Sequence, residues 1–406
     1  MNSLASRRDW IDIALVLFSA AGILSCLALA LLVVILALTS LLQGGIEDAL
    51  TAEWGALGFG FMALGGLPAL YWSGRAVLGY PSPQPSRPSR KWGWILLLLP
   101  LSLALGHLAG QSSVLAAVVG PVAQLAAASI PVGLVVLLVR RIGPPVRPRR
   151  AWGQFLLGLW VSPAAAMLAE LVLLLPVAGV AFLALGSSIE GRALLEALRN
   201  PVFSPDSFAD LIAAVAVKPW AIGLALFYGA FLVPLIEEAL KTIGVWPLLL
   251  TRLPSVGEGY LSGVLTGAGF ALAEALFVPQ PGSLWLAGIL VRAAGTVIHA
   301  YTGGLSCWGA VESFQRRRLG PWLRRYAAAV FLHGVWNAAV LLILVMTLAF
   351  EADVPGISYA AADGLTLWSS VALILLVLVA LVGLPLAARR TMRLGSPEAP
   401  PTPKSP

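Results

Sequence analysis

The chain has 406 residues, 59% of them apolar and only 11% charged, with a mean hydropathy of +0.90. That composition excludes a soluble domain and points to an all-α polytopic membrane protein. The net charge of +7 does not imply a nucleic-acid partner, because the basic residues sit in short loops between apolar runs, as on the cytoplasmic face of a membrane. Cys26 and Cys307 both fall inside apolar runs, which argues against a disulfide.

The first apolar run, 13–42, is too long for a signal-peptide core and reads as a retained anchor. Arg7 and Arg8 precede it and Glu47, Asp48 and Glu53 follow it, which places the N-terminus in the cytoplasm. A second span at 54–77 leads into a Pro-rich, extended linker with Arg87, Arg90 and Lys91. Spans at 94–109 and 113–139, joined by a hairpin at Gly110 and Gln111, end in the basic stretch 140–150. A fifth span within 152–185 precedes the external segment 186–218. That segment reads as an ordered loop, although Ser188 could cap a short amphipathic turn holding Ile189, Ala193, Leu194 and Leu198.

The sixth span lies in the apolar run 220–250, the seventh at 260–278 and the eighth at 284–310. A basic loop at 312–325 precedes the ninth, 326–350. Acidic Glu351, Asp353 and Asp363 follow, and a tenth ends at Arg389, Arg390 and Arg393. The alternation gives about ten spans with both termini cytoplasmic, in a protein integral to a membrane, most simply a prokaryotic plasma membrane. The expected organisation is a supporting region at 1–218 with about five spans, a site-bearing region at 219–350 with four, a last span within 351–394 and a disordered tail at 395–406.

A charge inside a span costs about 2.5 to 3.5 kcal/mol on insertion scales, so ionisable residues there mark function or a partner. The sixth span carries Glu237, Glu238 and Lys241. Glu237 and Lys241 share a helix face, whereas Glu238 points roughly 100° away and needs a partner from another helix. In the seventh span Gly263, Gly267, Phe270 and Glu274 fall on one face, the glycines permitting close approach of a neighbour. Arg292, Gly295, His299, Gly303 and Ser306 form the matching stripe in the eighth, and the ninth adds His333 and Asn337, four apart. Taken singly, a Glu–Lys pair can simply hold helix register and a lone histidine can simply pack, which is the reading for His107. Glu170 stays open between an outlying member and a locally satisfied carboxyl. Together on four consecutive spans they describe a site.

These spacings carry a resemblance. Glu237-Glu238-Ala-Leu-Lys241 matches an EExxK motif, Phe270-Ala-Leu-Ala-Glu274 an FxxxE motif, and His299 and His333-Gly-Val-Trp-Asn337 two later histidine motifs. In that order, over about 223–340, the chain resembles the PrsW family of intramembrane proteases, related to the CAAX-prenyl endopeptidase and bacteriocin-processing group. Glu274 stands where CAAX-type members have a histidine, and Lys241 closes the first motif where they have an arginine one position later. Both departures favour the PrsW branch.

The resemblance implies an intramembrane endopeptidase acting on a membrane-associated protein, such as a signalling regulator. Glu237 or Glu238 would be the general base, Glu274 would orient the water, and His333 and Asn337 would donate to the oxyanion. His299 would orient the water or bind metal, with Lys241, Phe270 and Arg292 in support. Three carboxylates against two cations leave one negative charge over, so one carboxyl is expected to carry a proton at neutral pH. A zinc or other divalent site is conceivable from His299, His333 and Glu238, but no HExxH is present, so the sequence favours a glutamic-type mechanism without metal. The expected partners are membrane lipids and a membrane-protein or peptide substrate, with no nucleic acid and no small-molecule cofactor. A proton-coupled secondary transporter is the rival reading of the same buried charges, with a catalytically idle scaffold as a third.

Overall fold

In a hydrocarbon environment backbone N–H and C=O groups must be satisfied within the chain, which favours helices. The computed structural model describes residues 2–43, 45–81, 83–84, 87–199, 205–277, 285–352, 354 and 358–394, and every regular element among them is helical. Seven helices are long and apolar enough to cross a membrane by length and composition: Trp10–Leu42, Thr51–Val77, Gly120–Ile142, Pro148–Ser187, Pro219–Gly244, Gly320–Phe350 and Ala362–Leu394. They coincide with seven of the expected spans. The expected tail at 395–406 and the turn at 279–283 lie outside the described residues.

The remaining expected spans differ for physical reasons. Gly93–Ala109 is apolar but short. The helices Val256–Leu276 and Trp285–Arg316 have the length but are not among the seven. In the first of them every residue except Glu258 and Glu274 is buried. Neighbouring helices take the place of lipid there, so glycine, serine and threonine replace the larger apolar residues that raise hydropathy.

Three details correct the sequence reading. The segment 186–218 is not a loop but carries the helices Ile189–Arg199 and Pro205–Ala216. Ser188 does act as a cap, its Oγ accepting from the Gly191 N–H at 3.0 Å, while Lys218 holds Glu190 at 2.8 Å. The lysine lowers the Glu190 carboxyl from its ordinary value. The fourth span is interrupted between Ser113–Val118 and Gly120–Ile142, where Pro121 starts the second helix. The apolar run 220–250 is not one helix. A π-helical turn occupies Leu226–Leu232, the helix Val233–Lys241 follows, a 3-10 turn takes Thr242–Gly244, and Trp246–Thr251 restarts with Pro247 in its first turn.

The chain divides into two compact units, one comprising Met1–Pro163, Lys241–Tyr326 and Leu381–Pro406, the other Ala164–Leu240 and Ala327–Ala380. In the first unit, Val256–Leu276 and Trp285–Arg316 meet backbone to backbone. A Cβ on Gly263 would lie 2.0 Å from the Gly303 carbonyl oxygen, and one on Gly267 would lie 2.1 Å from the His299 oxygen. The two glycine stripes therefore face each other. Polar side chains cross the unit in pairs. Gln124 donates to the Ala275 carbonyl at 2.6 Å and accepts from the Trp285 indole at 2.7 Å, and Tyr260 donates to the Leu384 carbonyl at 2.9 Å. In the second unit a Cβ on Gly334 would lie 2.4 Å from the Ala230 oxygen, and Tyr228 donates to the Glu170 carbonyl at 3.0 Å.

Val256–Leu276 starts on a reciprocal cap, Ser255 accepting from the Glu258 N–H and Glu258 accepting from the Ser255 N–H. Glu258 lies ahead of the apolar part of this helix, which begins at Tyr260. It also accepts from Arg150 at 2.7 Å and from Arg252. Burial raises its carboxyl, but the bonds from Arg252, Arg150 and the Ser255 N–H outweigh this and hold it at about 2. A carboxyl lowered in the folded state contributes stability that is present above its unfolded value, about 4.3, and is lost as pH falls toward the folded one. The stability gap between wild type and Glu258→Gln, followed by thermal unfolding in detergent, should therefore be widest near neutrality and shrink as pH drops below about 4. Gly263→Ala should cost about 1–3 kcal/mol in the same assay. Gly74→Ala, where a Cβ meets nothing within 4 Å, should be neutral or slightly stabilising.

Candidate active site

The second unit carries the two adjacent glutamates. Both lie on Val233–Lys241 and both are buried, Glu238 completely. His333, 1% exposed, comes from Gly320–Glu351 and presents Nδ1 to a Glu238 carboxylate oxygen at 2.9 Å. A carboxylate can only accept, so Nδ1 carries a proton, and in a neutral ring the lone pair then lies on Nε2. Nε2 lies 3.7 Å from a Glu237 oxygen, too far for a direct hydrogen bond. Two acceptors at that spacing can share one water through its two O–H groups, or one cation.

The π-helical turn ahead of the glutamates shifts the backbone register, and the adjoining helix answers it. Asn337 donates Nδ2–H to the Gly229 carbonyl at 2.9 Å, and Gly334, with no Cβ, lets the two backbones meet at Ala230. Asn337 thus spends one N–H on positioning the glutamate helix.

The first unit carries a chain of four polar groups. Lys241, fully buried, approaches His299 Nδ1 at 2.8 Å. An ammonium can only donate, so Nδ1 accepts and the ring proton is on Nε2, 2.9 Å from Glu274. Arg292 closes the chain on the other Glu274 oxygen at 3.1 Å. Phe270 stacks on the His299 ring, 5.4 Å between centroids at 21°, and the Lys241 ammonium lies 4.7 Å from the Phe270 centroid. Both histidine tautomers follow from these partners.

Every charged, histidine or asparagine residue singled out on the four spans has therefore found a polar partner, within one of two clusters. Glu238, offered from the sequence as a metal ligand, accepts from His333 Nδ1, and Glu237 is the carboxylate on the side of Nε2. His107 is exposed at the end of Leu98–Ala109 and belongs to neither cluster. Sequence reasoning missed the π-helical turn, which no residue pattern announces. It also gave no role to Gln124, whose bond to Ala275 anchors the turn carrying Glu274. The available signal was a lone amide in an otherwise apolar span.

The sequence model of the PrsW family intramembrane metalloproteases matches residues 147–381, more than half of the chain. The chain belongs to the PrsW family. This PrsW protein is an intramembrane protease, and the match extends on both sides of the 223–340 stretch that carries the motifs. No curated protein and no solved structure matches. The family's metalloprotease description bears on the expectation of a metal-free mechanism, and the donors here are compatible with it. Imidazole nitrogen and carboxylate oxygen are both zinc ligand types, and a second carboxylate on the far ring nitrogen is the usual support of a metal-bound histidine. The latch at Asn337 gives a test apart from activity. Asn337→Ala should cost about 1–3 kcal/mol of stability by leaving the Gly229 carbonyl unmatched, and amide hydrogen exchange should rise across 226–232 if the latch holds that turn.

Proposed function

We propose that this PrsW protein is an endopeptidase that cuts a membrane-associated protein with a water activated by Glu237. The observation that carries the proposal is the Glu238–His333 pair at 2.9 Å, which turns the other ring nitrogen toward the Glu237 carboxylate at 3.7 Å. Glu237 would take a proton from the attacking water and return it to the leaving amine. Glu238 would hold the His333 tautomer and ring orientation. Asn337, with its remaining N–H, would donate to the oxyanion, and Lys241, Phe270, Glu274 and Arg292 would set the tautomer and position of His299.

A divalent ion of the zinc type fits the same donors, His333 Nε2 and Glu237 being its natural ligands. When bound it would lower the pKa of a ligated water and polarise the scissile carbonyl. His299 has both ring nitrogens engaged, with Lys241 and Glu274, so a ligand role would mean exchanging one of them.

About ten spans with both termini in the cytoplasm remain the topology that best suits the arginine-rich loops. A prokaryotic plasma membrane fits the same pattern. The proposed substrate is another membrane protein, cut near the bilayer surface.

Purified protein in proteoliposomes should cleave a transmembrane peptide from a mixed library, with products read by mass spectrometry. Glu237→Gln and Glu238→Gln should each lower the rate at least about 100-fold, while His107→Gln should leave it unchanged. Unchanged cleavage by both glutamate variants would reject the proposal. In the same assay, loss with chelator and return with zinc assigns the metal-assisted form. Activity that persists in chelator assigns the metal-independent one.

A further inference from the structure

A cavity of about 640 Å³ in the first unit lies outside both clusters. It opens between the end of Trp285–Arg316, the start of Gly320–Glu351 and the stretch from Thr242 into the short helix Trp246–Thr251. Trp246, Leu249, Phe314, Leu319 and Trp322 form an aromatic and aliphatic wall, and Arg317 and Arg318 supply the charge. Trp246, Phe314 and Leu319 are each more than half exposed. Aromatic side chains beside arginines at the end of a span are the composition of a membrane interface.

The two arginines are reachable and uncommitted. Both are exposed, and neither has an acidic partner among the described residues. Glu312, on the same helix, is buried and already accepts from Arg316 at 3.1 Å and from Arg325 at 2.6 Å. Arg317 has a left-handed backbone, φ 51°, and the Arg318 N–H closes the helix end on the Ser313 carbonyl at 3.1 Å. In such a cap the left-handed position usually goes to glycine, and here it carries a guanidinium into the lining. The positive end of Gly320–Glu351 reaches the same cavity through Leu319 and Trp322, and no acidic residue offsets it in the first turn. Unmatched positive charge beside an apolar wall calls for an occupant that is anionic at one end and hydrocarbon at the other. The surrounding surface favours a lipid over an acidic protein segment. Leu250 and Leu323, next to lining residues in the chain, are also more than half exposed, as side chains facing acyl chains are.

We propose that this cavity binds one anionic glycerophospholipid. The phosphate would sit on Arg317 and Arg318 at the positive end of Gly320–Glu351, and an acyl chain would lie along Trp246, Leu249 and Phe314. Phosphatidylglycerol carries the net negative charge that two unmatched arginines require, whereas phosphatidylethanolamine and phosphatidylcholine bring a cation of their own.

The test exposes the full-length protein in detergent to an equimolar mixture of these three lipids with identical acyl chains, and reads bound lipid by native mass spectrometry. A second sample adds a soluble Glu- and Leu-rich peptide as competitor. Wild type should retain the glycerol lipid about tenfold over the other two. Arg317→Gln with Arg318→Gln should erase that preference. Arg389→Gln with Arg393→Gln removes the same charge from exposed positions at another span end and should leave the preference intact. Ala310→Trp keeps both arginines but fills the lining, and should abolish retention. The arginine variants change only exposed side chains, so they remain informative if Ala310→Trp fails to fold. Equal retention of the three lipids by wild type would overturn the proposal. So would an equal loss in the two arginine pairs, which is what diffuse surface charge gives, or retention unchanged in folded Ala310→Trp. Displacement of the glycerol lipid by the peptide, dependent on Arg317 and Arg318, would assign the cavity to a protein partner and contradict the proposal as well.

Discussion

A charge removed from water must find a partner or be expelled, and this constraint organises the PrsW protein described here. Glu237, Glu238, Lys241, His299 and His333 are all buried in a chain that is otherwise mostly apolar. Each could exist in its place only because another polar group reaches it. Glu238 is matched by an imidazole N–H, Lys241 by an imidazole lone pair, and Glu274 by both an imidazole and a guanidinium. The histidines do the central work of mediation, since a ring with one donor and one acceptor can link groups of unlike character. Fixed tautomers are the outcome, and fixed tautomers are what proton transfer requires.

Backbone geometry makes these meetings possible. Glycines at 263, 267 and 303 bring two helices close enough for the Phe270–His299 stack and the His299–Glu274 bond. Gly334 does the same for the helix bearing His333 against the π-helical turn at Leu226–Leu232. That turn is a local departure from regular helix, and such departures concentrate where a side chain must be re-aimed. Asn337 secures it from the neighbouring helix.

The sequence makes much of this legible because polar residues in apolar runs have few bland explanations. The glycine stripes and the FxxxE and EExxK spacings single out the right helix faces, and the histidines could be named from the same logic. What it conceals has common causes. The sequence does not show that the helix Val256–Leu276, which it offers as a span, is buried almost entirely by protein, or that neither it nor Trp285–Arg316 stands among the seven apolar enough to cross. The breaks at Leu226–Leu232 and Thr242–Gly244 lie within one continuous apolar run, where composition carries no boundary signal. The helices at Ile189–Arg199 and Pro205–Ala216 are short and amphipathic, and helices of that length depend on packing that periodicity alone does not weigh. Which glutamate faces which ring nitrogen of His333 is a matter of side-chain rotation, invisible to spacing.

The central claim is that the buried acid and imidazole act on the reaction as a unit. The most direct measurement is a double-mutant cycle on kcat/KM for peptide cleavage in proteoliposomes, pairing Glu238→Gln with His333→Ala. If Glu238 works through the histidine it holds, the double variant should be little worse than either single one, a coupling of at least about 1 kcal/mol. Effects that simply multiply, as for two residues with no shared role, would contradict the account.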